Sequence, residues 1–213
     1  MKTNKGLVIC HDYWHCGDIV TQGLQFLQDH SWELTILREM EHADLKVVDF
    51  SEYRAIFVCK DNRNSYEDAG QWLDDLLAMR FTRYVEAGGC LMILHAGATA
   101  PTAVPLFKDL VGCVFVMHPD QCSVEYFPVG NSVITDGVLT FVEHDEHYKI
   151  AISADDINVF LSSKSEYFEE VAGYYRHVGR GKVVVLTPGH NLPVWLNPEY
   201  QKLILGSLAF SGC

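Results

Sequence analysis

One stretch decides the fold predicted for this chain: Gly88-Gly89-Cys90-Leu91-Met92-Ile93-Leu94-His95-Ala96-Gly97. The run Leu91 to Leu94 has no polar alternation, which is typical of a parallel strand with both faces covered by helices. The two glycines would end a preceding helix. Because ligands bind beyond the carboxyl ends of strands in open α/β sheets, His95 is predicted to lie in the functional site. The alternative is a buried histidine that is satisfied by a backbone carbonyl.

The residues before this stretch alternate between apolar strands and amphipathic helices. Strands are predicted at Gly6 to Cys10, Trp32 to Leu37 and Ala55 to Cys59, and helices at Ile19 to Gln28 and Gly70 to Ala87. This β-α alternation predicts a parallel sheet.

The second half of the chain has a different pattern, in which short runs of alternating residues replace most of the helical spacing. Helices are predicted only at Pro105 to Leu110 and Pro198 to Phe210. Strands are predicted at Val114 to Met117, Ser123 to Phe127, Ile157 to Leu161, Val171 to His177 and Val183 to Leu186, the last two forming a hairpin. We therefore expect one α/β domain over residues 1–213, with a mostly parallel central sheet and added antiparallel strands.

Composition narrows the range of partners. The 213 residues include 16 Lys and Arg against 28 Asp and Glu, a formal net charge of −12, which disfavours nucleic acid and anionic membranes. The sequence has neither an apolar run long enough to span a bilayer nor the core of a signal peptide. Seven cysteines without a C-x-x-C pair indicate reduced thiols, so a cytoplasmic protein is expected.

Histidines and carboxylates cluster at or just after predicted strands. The clusters are His11 to His15, His95, Glu143 to Tyr148 and Thr187 to Asn191, with His118-Pro119 as a fifth candidate. In a parallel sheet the first, second and fourth clusters would converge at one edge and could form a carboxylate–histidine site there. Alternation along Glu143 to Tyr148 sends Glu146 and Tyr148 to one side and Asp145 and His147 to the other.

Two kinds of chemistry are compatible with such residues, and a third is disfavoured. A divalent metal such as Zn²⁺ would activate water. Without a metal, His95 or His190 together with Glu146 could move protons. Nucleophilic catalysis is disfavoured because Cys90 lies at the wrong end of its strand and no G-x-S-x-G is present, so no ammonia release from glutamine is expected. Nucleotide-binding motifs are missing from the sequence, so no nucleotide cofactor is expected.

A series of short motifs resembles the trehalose-utilisation (ThuA-like) family. The motifs are Gly88-Gly89-x-x-x-x-Leu94-His95-Ala96, Gly112-x-x-Phe115-x-x-His118-Pro119, Thr135-x-Gly137, Asp145-Glu146-x-Tyr148, Gly179-Arg180-Gly181-Lys182-Val183 and Thr187-x-Gly189-His190. The resemblance implies a flavodoxin-like, class I glutamine-amidotransferase-like three-layer sandwich without the amidotransferase cysteine. One departure is Asn131-Ser132-Val133, where the family often has His-Pro.

The resemblance also implies a role in the metabolism of trehalose or a related disaccharide, including keto-sugars. The residues that carry over as catalytic are His95, Glu146 and His190, which are also the metal candidates. The residues that carry over as substrate-binding are His15, His118, Asp145 and Tyr148, with Asp145 orienting a histidine or capping a turn.

The sequence therefore favours a cytoplasmic enzyme, a hydrolase, lyase or isomerase, whose partner is a small carbohydrate. The aromatic residues Tyr13, Trp14 and Trp195 could stack on the sugar, with core packing as the alternative for each. The alternative function is a non-catalytic sugar-binding or regulatory protein. A homo-oligomer is compatible with either function.

Overall fold

The computed structural model of the protein describes residues 4–38, 42–63, 65–68 and 70–213, and of residues 42–44 the backbone alone. Its helices are α1 (Gly17–Gly23), α2 (His42–Val47), α3 (Asp75–Glu86), α4 (Pro105–Val111), α5 (Leu192–Leu196) and α6 (Pro198–Phe210). Its strands are β1 (Asn4–Cys10), β2 (Trp32–Arg38), β3 (Ala55–Cys59), β4 (Cys90–Leu94), β5 (Cys113–Met117), β6 (Cys122–Pro128), β7 (Phe141–Asp145), β8 (Lys149–Ile152), β9 (Asn158–Lys164), β10 (Glu169–Val178) and β11 (Gly181–Leu186).

A nine-stranded sheet of order β2-β1-β3-β4-β11-β10-β9-β6-β7 forms the centre of the protein, and β5 and β8 form a separate pair. Within the described residues, no helix is both long enough and apolar enough to cross a bilayer.

The strand β4 is an inner strand of the parallel half of the large sheet. It pairs in parallel with β3 on one side and β11 on the other, and all five of its residues are buried. Cys90, Met92 and Leu94 pack into the core on one face, and Leu91 and Ile93 into the core on the other. The prediction of a central parallel strand covered on both faces is confirmed.

Helices form a layer on each face of the sheet. Val20 of α1, Trp195 of α5 and Leu203 of α6 belong to one core, whereas Phe81 of α3 and Phe107 of α4 belong to the other. Beyond β11 the neighbours β10, β9, β6 and β7 follow in antiparallel order. The predicted three-layer α/β fold with added antiparallel strands, including the β10–β11 hairpin, is therefore confirmed.

Two helices are shorter than their apolar patterns predicted. The helix predicted from Ile19 to Gln28 ends at Gly23 and is followed by a 3-10 segment, Gln25–His30. Glycine weakens a helix, and close packing requires it here, since a Cβ on Gly23 would lie 2.4 Å from Trp195 Cβ.

The helix predicted from Gly70 to Ala87 begins at Asp75, where the Asp74 carboxylate caps its first turn. The preceding residues are apolar for another reason. Trp72 is buried in a loop and donates a hydrogen bond from Nε1 to Asp61 O at 2.7 Å. Apolar spacing alone did not distinguish this buried loop from helix.

A strained turn follows β4. His95 has a φ of 41°, a left-handed conformation that residues other than glycine rarely adopt. Gly97 lies so close to β3 that a Cβ on it would be 2.0 Å from Val58 O. Backbone strain of this kind persists only where the surrounding structure holds it, and it is found most often at functional sites.

Gly97→Ala is expected to lower the free energy of unfolding by about 2–3 kcal/mol, because the new methyl group meets a backbone oxygen of the sheet. A loss of this size lowers the Tm by roughly 4–12 °C. The matched control is Gly6→Ala, whose Cβ would meet the Leu34 side chain at 2.8 Å. That side chain can adjust, so the control should lose less stability. Thermal unfolding followed by circular dichroism measures both, and an equal loss would contradict this account of the turn.

Candidate functional site

Four side chains from distant parts of the sequence meet at the carboxyl edge of the parallel strands. His15 follows β1, His95 follows β4, His190 follows β11, and Glu146 lies in the connection from β7 to β8. One ligand atom from each lies within 4.8 Å of the others. The three imidazole ring centroids are 5.2–5.5 Å apart. The structure thus brings together all three residues predicted as catalytic and adds His15; we call these four residues the His–Glu centre.

Glu146 is the anion of the His–Glu centre. Its Oε2 lies 3.1 Å from His190 Nδ1, 3.5 Å from His95 Nε2 and 3.7 Å from His118 Nε2. Burial disfavours the ionised form of Glu146, but the imidazoles of His190 and His95 hold the pKa of this carboxyl well below its usual range. The side chain therefore carries a negative charge at neutral pH.

A backbone carbonyl fixes the tautomer of His95. Its Nδ1 lies 2.8 Å from Thr187 O, and a carbonyl oxygen can only accept, so Nδ1 carries the proton. The other nitrogen, Nε2, is therefore the one that has a lone pair for a ligand when the ring is neutral. His95 is only 2% exposed, and its Nε2 has no hydrogen-bond partner among the described residues. A buried polar atom without a partner is costly and needs an explanation.

The carboxylate of Asp12 fixes His15 in the same way. His15 Nδ1 lies 2.8 Å and 3.0 Å from the two Asp12 oxygens, which leaves Nε2 as the lone-pair atom in the centre. Asp12 also accepts hydrogen bonds from the backbone N–H groups of Trp14, His15 and Asp61. Burial alone would raise the pKa of Asp12, but His15 and these N–H groups lower it, so Asp12 is ionised.

Asp145 positions the third histidine through its backbone. Its carboxylate accepts hydrogen bonds from Gly189 N at 2.8 Å, His190 N at 2.9 Å and the Tyr126 hydroxyl at 2.9 Å. The side chain is fully buried behind the loop that carries His190. These contacts match both tasks predicted for Asp145, orienting a histidine and capping a turn.

The His190 ring faces Glu146. Burial alone would lower the pKa of His190, but Glu146 raises it above its ordinary value. Like His95 Nε2, His190 Nδ1 is buried without a partner of hydrogen-bond geometry among the described residues. Two buried nitrogens that lack partners thus face one carboxylate.

The distances from Glu146 Oε2 to two of the imidazoles match those between ligands of one metal ion. Donors about 2.1 Å from a common ion are roughly 3–4 Å apart, as Glu146 Oε2 is from the nearest imidazole nitrogens. Imidazole and carboxylate together suit Zn²⁺, Fe²⁺, Ni²⁺ and related ions. The hydrogen bonds that Nδ1 of His15 and Nδ1 of His95 donate to Asp12 and to Thr187 O are the outer contacts that metal-bound histidines usually have.

A cleft of about 170 Å³ adjoins the His–Glu centre and shares His15 and Glu146 with it. Other parts of its wall come from Trp14, Arg63, Tyr66, Thr99, Phe115 and His118. The Arg63 guanidinium lies 5.2 Å from the centroid of the Trp14 ring and 5.9 Å from that of Tyr66. The cleft is smaller than the pockets that enclose drug-sized ligands, so a larger ligand would enter it with one end only.

Three predicted substrate-binding residues line this cleft, namely His15, His118 and Tyr148. His118 is exposed, and its Nδ1 lies 2.8 Å from Pro119 O, so Nε2, which lies 3.7 Å from Glu146 Oε2, is the nitrogen left for a ligand. Tyr148 is only 2% exposed, its ring stacks on His95 at 4.3 Å, and its hydroxyl lies 3.4 Å from His15 Nε2. Tyr148 therefore presents little surface to a ligand and mainly packs the histidines.

Other residues that the sequence suggested for the site lie outside the His–Glu centre. Trp195 is fully buried and donates from Nε1 to Gly189 O, so it packs in the core and does not stack on a ligand. His147 lies between Ser163 and Ser165, away from the centre, as alternation predicted. Asp12 is the important residue that sequence reasoning did not single out, although it stands three positions before His15.

The cysteines show no activated nucleophile in the His–Glu centre. Burial raises the pKa of the Cys10 thiol to about 11 and that of the Cys59 thiol well above its ordinary value.

Alkylation of the native protein is expected at Cys16, which is exposed, and at Cys213, whose thiol pKa is lowered by the neighbouring Cys90 thiol. Cys10, Cys59 and Cys90 should react only after unfolding, as peptide mass spectrometry after iodoacetamide treatment would show. Labelling of Cys59 at the rate of Cys16 in the native protein would contradict this prediction.

The fold and the His–Glu centre define a class of protein: an α/β sandwich with a histidine–carboxylate centre at the carboxyl edge of its parallel strands. The chain belongs to the trehalose utilisation (ThuA) family, whose sequence model matches residues 5–211. This result confirms the resemblance of the short motifs. No curated protein matches the sequence.

Solved structures share the fold. A putative ThuA-like protein from Parabacteroides merdae is 16% identical with a TM-score of 0.79, over 99% of this chain and 90% of that chain. A second, from Bacteroides uniformis, is 18% identical with a TM-score of 0.70, over 99% and 93%. A β-galactosidase from Rahnella sp. R3 is 10% identical with a TM-score of 0.69, and the match covers 99% of this chain and 31% of that chain.

Proposed function

We propose that this protein is an enzyme of carbohydrate metabolism that acts on trehalose, a related disaccharide or a keto-sugar at a divalent metal centre. One observation supports the metal most directly. Buried His95 Nε2 has no hydrogen-bond partner in the described part of the chain and lies 3.5 Å from the anionic Glu146, while Nδ1 of the same ring donates to Thr187 O. A cation between them would satisfy both groups.

The metal ligands in this proposal are His15 Nε2, His95 Nε2, His190 Nδ1 and Glu146 Oε2. Four protein ligands fill a tetrahedral site, so a substrate oxygen requires a fifth or sixth position. We therefore propose five-coordinate Zn²⁺ or a six-coordinate ion such as Fe²⁺ or Ni²⁺. When bound, such an ion polarises a sugar oxygen or lowers the pKa of water.

The cleft residues supply the remaining functions. His118 is the proposed acid–base residue, since its free Nε2 faces the cleft beside Glu146 and can exchange a proton with a sugar hydroxyl or water. Trp14 and Arg63 offer a ring edge and N–H donors for the sugar. Asp12, Asp145 and Tyr148 are positioning residues in this proposal, because each acts through a histidine.

We propose a cytoplasmic location for the protein, which the seven unpaired cysteines support.

The experiment that tests the function is a turnover assay with trehalose, related disaccharides and their keto derivatives. The protein is assayed after addition of Zn²⁺, Fe²⁺ or Ni²⁺, and again after removal of metal with a chelator. Turnover of at least one sugar that disappears with the chelator and returns with one metal supports the proposal. His118→Ala is expected to keep the metal and to lose about 10²–10⁴-fold in turnover, the usual contribution of a general acid or base.

The alternative function, a non-catalytic sugar-binding protein, gives a different result. It binds the same sugars in calorimetry but turns over none of them with any metal. Saturable binding without turnover in the metal-loaded protein would replace the enzyme proposal with this one.

A further inference from the structure

A second cavity lies at the opposite edge of the sheet from the His–Glu centre. It has a volume of about 590 Å³ and lies near the amino ends of β3 and β4. Its walls include the end of α3, the Gly88-Gly89 turn and residues 211–213. This volume falls within the range of small-molecule sites, whereas the cleft beside the His–Glu centre is much smaller.

Arginines concentrate around this cavity. Arg54, Arg80 and Arg83 line it, and Arg180 donates to the carbonyl of Ala87, which also lines it. These are four of the seven arginines of a chain whose net charge is −12. The local positive charge is therefore opposite to that of the protein as a whole.

Two of these guanidinium groups are held in place. Arg54 donates to Asn4 Oδ1 at 2.9 Å and to Gly212 O, and Arg80 donates to backbone carbonyls while stacking on Phe50 at 4.5 Å. A guanidinium has five N–H donors, so each retains donors for a ligand and has already lost much of its conformational freedom.

The positive charge of this site exceeds the negative charge in its wall. Among the described lining residues Asp49 is the acidic side chain, against three arginines, and its carboxylate accepts hydrogen bonds from Ser51 N at 2.9 Å and Ser51 Oγ at 2.7 Å. Arg83 is exposed and has no hydrogen bond or ion pair to another described residue. The cavity therefore contains a cation without a carboxylate partner in the described part of the chain.

From this arrangement we propose that the cavity binds a small molecule with two or more anionic groups, phosphates or carboxylates. Guanidinium groups on separate walls can each take one anionic group, and bidentate pairing favours planar carboxylates and phosphates. The aromatic walls formed by Tyr53 and Tyr84 leave room for a carbon skeleton between the charges. This site is independent of the His–Glu centre and of the function proposed for it.

Isothermal titration with pyrophosphate and, separately, with citrate tests the site and distinguishes phosphate from carboxylate ligands. We expect saturable 1:1 binding of at least one probe that weakens as NaCl is raised. Arg83→Gln and Arg54→Gln should each weaken binding by about tenfold or more, as loss of a charged hydrogen bond does. The matched control is Arg38→Gln on the far surface, where Arg38 contacts Asp18, and it should bind like the wild type.

Both probes also chelate metals, so the titration is repeated with His95→Ala, which lacks a ligand of the proposed metal centre. Binding that persists in His95→Ala supports a separate site, and binding lost there belongs to the His–Glu centre and overturns the proposal. No saturable binding of either probe, or wild-type affinity in Arg83→Gln, overturns it as well. Arg83 makes no hydrogen bond or ion pair with the described residues, so its variant should fold, and circular dichroism verifies this.

Discussion

His95→Ala is expected to remove the metal from the protein. Loss of an outer contact to a metal-bound histidine typically weakens binding by about 10–100-fold, so loss of the ligand itself should weaken it by at least about 100-fold. Wild-type protein purified without chelator should contain about one metal ion per chain, and the variant less than a tenth of that. Elemental analysis by mass spectrometry measures both.

The matched control for this prediction is His144→Ala. His144 lies two residues before Glu146, but its side chain is exposed and outside the centre. The control should therefore keep wild-type metal content. Metal absent from wild type and both variants, after Zn²⁺, Fe²⁺ and Ni²⁺ have each been offered, would contradict the metal centre. His95 and Glu146 would then be assigned to proton transfer without a metal.

The strand before His95 shows how much of the fold local sequence determines. Leu91 to Leu94 could be placed in the sheet from a short run after a glycine turn, because a strand covered on both faces is apolar without alternation. The placement of His95 in the functional site followed from this strand, because ligands bind beyond the carboxyl ends of parallel strands. The positive φ of His95 was not predictable from the strand, because residues other than glycine rarely adopt it.

The position of Glu146 beside His95 could not be predicted from the local sequence. Alternation predicted its side but not its distance to His95, since β7 lies at the far edge of the sheet and reaches the centre only through the loop that follows it. Asp12 was missed for a related reason. An aspartate among histidines in a loop has the pattern of a solvated turn, and only the fold shows that its side chain is 1% exposed and faces His15.

Asp12→Asn is expected to weaken metal binding by about 10–100-fold without removing a ligand. The amide has the size of the carboxylate and can still accept from His15 Nδ1, but it removes the negative charge that makes the imidazole a stronger donor. Titration of metal-free protein with Zn²⁺, in competition with a chromophoric chelator, measures the change. Turnover should be restored when metal is raised in proportion, because the ligands themselves are intact.

The control for Asp12 is Asp18→Asn, the same substitution at an exposed carboxylate that pairs with Arg38. It should leave metal affinity within about twofold, since exposed ion pairs contribute little. Thermal unfolding of metal-free Asp12→Asn distinguishes positioning from simple structural damage. An unchanged affinity for Zn²⁺ would mean that Asp12 only joins the loops after β1 and β3 through its bond from Asp61 N. A weakened affinity in a variant that stays folded assigns to Asp12 the orientation of His15, and through it the geometry of the whole His–Glu centre.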